Sequence, residues 1–134
     1  MVIYAVHPAS TGSVHAIWLN RQQTANLLER VRQEDEPVIV AGDFNFTDEA
    51  ANAGALRGAG LVSAHDLAGT GRDSTWPFAP TSRRYLPGVR IDHVFLDRRL
   101  TCTKFEIAGD SGSDHRPIVA DVAFRAEGPS AAAR

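Results

Sequence analysis

Val38-Ile39-Val40-Ala41 is an unbroken apolar run, and it ends on Gly42-Asp43-Phe44-Asn45. A short run without polar alternation fits a central strand covered on both faces. In α/β proteins, ligands bind beyond the carboxyl ends of such strands. Two more polar segments border apolar runs: Arg90-Ile91-Asp92-His93 and Ser113-Asp114-His115-Arg116-Pro117. His7-Pro8 closes a fourth run, Val2–Val6, because proline has no N–H to continue a ladder.

The rest of the chain follows from period and punctuation. Residues 15–33 read as a helix, with Thr24, Leu27, Leu28 and Val31 on its apolar face. Thr47 reads as the N-cap of a second helix, with Asp48 and Glu49 in its first turn and its end near Ala59, before Gly60. Leu61–Leu67 reads as a strand, and Phe78–Gly88 as a proline-containing loop. Arg90–Leu96 is a strand with Arg99–Ile107 as its antiparallel neighbour, since Asp97-Arg98 leaves room for a tight turn. Residues 117–124 form the last strand, with Ile118, Ala120, Val122 and Phe124 on one face. The order strand, helix, strand, helix, then strands gives an α/β fold shading into α+β. With 134 residues the chain suits one domain, residues 1–125, followed by an Ala/Gly/Ser/Pro-rich disordered tail over residues 126–134.

A net charge of −2 argues against gripping long nucleic acid by charge alone. It leaves room for a small phosphoester and for a local patch of Arg83, Arg84, Arg90, Arg98 and Arg99, partly offset by Asp92 and Asp97. The single Cys102 allows no internal disulfide and leaves the compartment open. The N-terminal run lacks a basic leader and a cleavage pattern, so it is not read as a signal peptide. No stretch has membrane-spanning length, so no membrane contact is expected from this chain.

The polar segments carry the chemistry. Alternation points Asp43 and Asn45 the same way, although an Asx turn between strand and helix accounts for them equally well. Asp92 shares parity with Val94 and Leu96, so its carboxylate lies on an apolar face and needs a partner. The structural partner is Arg90; the functional one is His115. His93 reads as packing or surface. Asp114 beside His115 joins a hard oxygen ligand to an imidazole, an arrangement suited to a cation and a phosphoryl group.

Gly-Asp-Phe-Asn, Arg-Ile-Asp and Ser-Asp-His-Arg-Pro occur in that order, with Ser74-Thr75-Trp76-Pro77 between the first two. The set resembles the C-terminal half of the endonuclease/exonuclease/phosphatase superfamily, which includes pancreatic deoxyribonuclease, abasic-site endonucleases and inositol-phosphate phosphatases. The resemblance runs from His7 to Phe124. It implies half of a deoxyribonuclease-like four-layer α/β/β/α sandwich: one mixed sheet with helices on its outer face. It implies a metal-dependent phosphoester hydrolase in which Asp43 orients or deprotonates water. Asn45 and His7 hold phosphate, Asp92 orients a histidine and His115 stabilises the phosphoryl charge. Asp114 binds Mg2+, or Mn2+ in its place, and Trp76 lies at the rim with Arg83, Arg84 and Arg90 as substrate contacts. The family's metal-binding Glu belongs to the other half and has no counterpart here. The bare sheet face then calls for a missing N-terminal half or a homodimer. The alternative is a non-catalytic phosphate-binding or assembly remnant. An ordinary nucleotide-binding domain would need a Gly-rich phosphate loop, and the glycines here are scattered.

Overall fold

The computed structural model describes residues 1–71, 74–77, 88–109 and 111–126. The chain forms β1 (Val2–Val6), α1 (Val14–Arg32), β2 (Val38–Asp43), α2 (Ala51–Gly58), β3 (Leu61–Ser63), α3 (Ala64–Ala68), β4 (Asp92–Asp97), β5 (Leu100–Ile107) and β6 (Ile118–Phe124). Among the described residues the strands make a mixed four-stranded sheet in the order β1-β2-β4-β3 and a two-stranded sheet β5-β6. β1 is parallel to β2, while β2 and β3 are antiparallel to β4.

Period-two alternation divides the sheet into two faces. Val38, Val40 and Phe95 join Leu28, Ala53 and Leu56 in a core beneath the helices. Ile39, Ala41, Val94 and Leu96 face the other way, into a cluster with Leu100, Phe105, Ile118 and Val122. The β5-β6 pair therefore shares a core with the reverse face of β2 and β4. Ile3 on β1 stays 62% exposed, and Phe124, expected on the apolar face of the last strand, is 66% exposed at the end of β6.

Helix α1 starts at Val14, with Ser13 as N-cap accepting from the Ala16 N–H. Its buried residues are Asn20, Thr24 and Leu28, one turn apart. Several boundaries differ from expectation. Thr47 is not a cap, and α2 starts at Ala51, because the Asp48 carboxylate is taken by Arg57 and Arg90. The run after Gly60 is strand only to Ser63. Ala64, Leu67 and Ala68 then have helical spacing and form α3, whose Asp66 pairs with Arg57. β5 does not neighbour β4, because β2 and β3 occupy both of its edges; β5 pairs with β6 instead. The Asp97-Arg98 turn exists, with the Arg99 N–H donating to Asp97 Oδ1, but it carries the chain into the second sheet.

One glycine is required where the site begins. Gly42 has φ +147°, and a Cβ there would collide with the Val6 carbonyl across the β1-β2 pair. No helix among the described residues is long and apolar enough to cross a membrane.

Candidate active site

His7, Asp43 and Asp92 share parity with the residues of the reverse face: Ala5 on β1, Ala41 on β2 and Val94 on β4. The segment leading into β6 brings His115 to the same place. The β2-β4 register sets Asp43 directly opposite Asp92. His115 Nδ1 lies 2.9 Å from Asp92 Oδ2, and its Nε2 lies 3.9 Å from Asp43 Oδ2. An ionised carboxylate only accepts, so Nδ1–H donates to Asp92 and Nε2 faces Asp43. His7 Nε2 approaches the same Asp43 oxygen at 3.5 Å, with its ring largely exposed.

The turn after β2 is held by its own side chains. Asp43 Oδ1 accepts the Asn45 N–H at 2.8 Å, and Asn45 sits at φ 55°. That left-handed conformation is more accessible to Asn than to most residues. Asn45 Nδ2 donates to the Pro8 carbonyl at 3.0 Å, which ties the turn to the segment after His7. Asp43 thus makes an Asx turn and also presents its second oxygen to the two imidazoles.

Two further residues fix Asp92 and His115 relative to each other. Thr75 is fully buried, and its hydroxyl accepts the N–H groups of Ile91 and Asp92 at 3.1 and 3.2 Å. Its carbonyl accepts the Arg116 N–H at 2.9 Å. Trp76 Nε1 donates to Asp114 Oδ2 at 3.2 Å, and its ring lies 6.4 Å from that of His115. Asp114 itself is exposed. A cleft of about 640 Å³ opens beside His115, walled by Ile17, Phe46, Trp76, Val89 and Ile91, with Arg21 and Asn45 supplying polar groups.

The remaining sequence candidates lie elsewhere. Arg90 donates to Asp48, not to Asp92, so the structural partner considered for Asp92 is engaged with another acid. Burial raises the Asp48 pKa, but the Arg90 hydrogen bond and the charges of His93, Arg90 and Arg57 outweigh it, so the net shift is downward. His93 is buried among Phe44, Phe46 and Phe95, with Nε2 2.8 Å from the Phe46 carbonyl. Burial holds its pKa below the usual histidine range. Arg83, Arg84 and most of the Phe78–Gly88 loop lie outside the described residues, as does the tail from residue 127.

Sequence reasoning gave no role to Asn20, Asn52 or Thr75, although Thr75 lies in the Ser74–Pro77 segment of the resemblance. Asn20 is 1% exposed and Thr75 is 0% exposed. A polar residue one turn before Thr24 on the buried stripe of α1 was the available signal for Asn20, since a buried amide needs partners. For Thr75 the signal was its segment alone and not its role, because its partners come from β4, the residue before it and the segment before β6.

Asp43, Asp92 and His115 each offer a ligand atom within 4.8 Å of the others. His115 engages only Oδ2 of Asp92, so the carboxylates of Asp43 and Asp92 are the hard oxygen donors of this group, and Asp114, the metal ligand expected from the sequence, is not one of the three. Such oxygens fit Mg2+ or Mn2+ chemically.

A mixed sheet with acids, an amide and imidazoles gathered at the ends of its inner strands defines the class: an α/β protein with an acid–imidazole site. The chain belongs to the Endonuclease/Exonuclease/phosphatase family, whose profile matches residues 2–115. Members of that family are hydrolases acting on phosphoesters. A UPF0294 protein of Vibrio cholerae is 39% identical over 106 residues; the match covers 78% of this chain and 34% of that protein. The chain therefore spans about a third of the length of this curated relative. Two solved structures share the fold. The Bacteroides thetaiotaomicron mannosyl-6-phosphatase Bt3783 aligns with TM-score 0.69 and 20% identity over 91% of this chain and 51% of its own. D. rerio TDP2 complexed with single strand DNA product aligns with TM-score 0.71 and 22% identity over 91% of this chain and 56% of its own.

Proposed function

We propose that this chain carries the water-activating and phosphate-holding half of a metal-dependent phosphoester hydrolase. The observation that supports this most is the Asp92–His115–Asp43 row, with carboxylates on both sides of one imidazole. Asp43 takes the proton of a water whose oxygen bonds to phosphorus as the ester P–O bond breaks. His115, when doubly protonated, donates Nδ1–H to Asp92 and Nε2–H to a phosphoryl oxygen. Asn45 spends one N–H on Pro8 and has a second for the phosphate. His7, open to solvent beside Asp43, contacts the same anion. Asp114 would hold the divalent cation, which would supply Lewis-acid charge stabilisation when bound. These groups oppose the negative charge that builds on the pentacoordinate phosphorus.

Magnesium binds through one or two carboxylates plus waters and phosphate, so the missing family Glu matters. A completing half, packed where β1 is uncovered, would supply it. The structural neighbours include a mannosyl-6-phosphatase and a protein bound to single-strand DNA product, so a monoester and a diester both remain candidate substrates. The alternative reading is a non-catalytic phosphate-binding or assembly remnant without turnover.

The test is Mg2+-dependent hydrolysis of an aryl phosphodiester and an aryl phosphomonoester by the chain, alone and with the N-terminal half of a Vibrio relative added in trans. Hydrolysis abolished by chelation, and lowered at least about 10²-fold by Asp43→Ala and by Asp114→Ala, supports the first reading. Phosphate binding without turnover in either setting selects the second. Hydrolysis unchanged in both variants rejects the assigned roles.

A further inference from the structure

We infer that Asn20 is a positioning residue that holds the two active-site loops together; the inference rests on the site proposed above. Asn20 is 1% exposed on α1. Its Nδ2 donates to the Ala9 carbonyl at 2.7 Å and to the Phe44 carbonyl at 3.0 Å. A primary amide has two N–H groups, so both are used. Its Oδ1 accepts from Asn52 Nδ2 at 2.7 Å, which fixes the orientation of the amide. Thr24 Oγ1 donates to the Asn20 carbonyl and lies within reach of Asn52 as well.

The two carbonyls are not arbitrary places. Ala9 lies two residues beyond His7, and Phe44 lies between Asp43 and Asn45. The Phe44–Asn45 peptide is therefore gripped at both ends, its carbonyl by Asn20 and its N–H by Asp43 Oδ1. Asn45 holds φ 55° directly beyond that peptide. A residue in that region persists where its surroundings over-determine it. The same Asn45 reaches across to Pro8, in the loop that Asn20 also holds. Asn20 thus acts behind Asn45 and His7 and contacts no reacting atom. A fully satisfied buried network of this kind rigidifies what it touches. Leu28, two turns along the same stripe, contributes to the core but bonds to neither loop.

The test compares Asn20→Ala and Asn20→Asp with Leu28→Ala, which destabilises the same helix away from the site. Asn20→Asp keeps the shape of the side chain but sets an acceptor oxygen against two carbonyls. Two readouts are taken well below each variant's unfolding temperature. The first is amide hydrogen exchange at Asn45 relative to Val40 and Phe95. Both Asn20 variants should speed Asn45 on the order of tenfold while the two sheet amides keep their rates, and Leu28→Ala should leave that ratio unchanged. The second is Mg2+-dependent diester hydrolysis, where a misplacement of this kind lowers kcat about 10²-fold with KM little changed. Exchange does not depend on turnover. A wild type inactive both alone and with the N-terminal half of a Vibrio relative in trans, with accelerated Asn45 exchange in the variants, would reject the hydrolase and keep the positioning role. An unchanged exchange ratio, or an Asn20→Ala variant that follows Leu28→Ala in both readouts, would overturn the positioning role even in an active enzyme.

Discussion

Asp43 and Asp92 stand directly opposite each other across the antiparallel β2-β4 pair, and the His115 ring lies against both. Like charges at opposed positions destabilise a sheet, so the arrangement is maintained by what sits beside it. The Asp92–His115 contact at 2.9 Å is the shorter of the two.

Asp92→Asn tests that contact with little change of shape. The amide can offer N–H where His115 also offers N–H, so the ring loses its orientation. Hydrolysis of an aryl phosphodiester should fall at least about 10²-fold, while the melting temperature changes little because one of two facing charges is removed. A rate within twofold of wild type would show that Asp92 does not orient the ring.

Gly42→Ala tests the backbone at the entry to the site. A methyl group there meets the Val6 carbonyl and requires φ +147°, so β1 and β2 must separate or the turn must change. A stability loss of about 2 kcal/mol or more is expected in urea unfolding, with hydrolysis lost together with it. Wild-type stability would mean that the turn re-forms without cost.

Thr75→Val removes a hydroxyl at nearly constant volume. The Ile91 and Asp92 N–H groups would lose their shared acceptor in a fully buried place, at a cost of about 1–3 kcal/mol. Thr75→Ser keeps the oxygen and should lie closer to wild type. Equal stabilities for the two variants in chemical denaturation would count against this role of the hydroxyl.

Acid should destabilise the fold in two stages. Burial depresses the His93 pKa below 6.5, so below that pH the unfolded chain binds the proton more readily than the folded one. The His93 contribution is complete above about pH 6.5 and is lost as pH falls toward the lower folded value. Asp48, raised by burial but lowered more by Arg90, His93 and Arg57, lies below 3.8 overall. Its contribution is complete above that value and disappears as pH falls through the folded pKa. Melting temperature followed from pH 8 to pH 3 should therefore decline, beginning near pH 6.5. His93→Gln, which retains a donor for the Phe46 carbonyl, should remove the first stage and keep the part of the second that Arg90 and Arg57 supply. A profile unchanged by that substitution would place the sensitive group elsewhere.

The sequence by itself determined the strands β1, β2 and β4 and which face their residues take. Unbroken apolarity marks β2, and alternation places Asp92 with Val94 and Leu96 on the reverse face. Both are local properties of an extended chain with a period of two. The odd parity of Asp92 already called for a partner, and the order of the polar segments carried the family resemblance. Tertiary structure decided what each side chain meets. Asp48 left its expected helix turn for Arg90 and Arg57, and β5 went to β6 because both edges of β4 were taken. Asn20 and Thr75 became knots between segments far apart in the chain. Partners of that kind are chosen by packing in three dimensions, and a pattern read along one dimension carries no record of the choice.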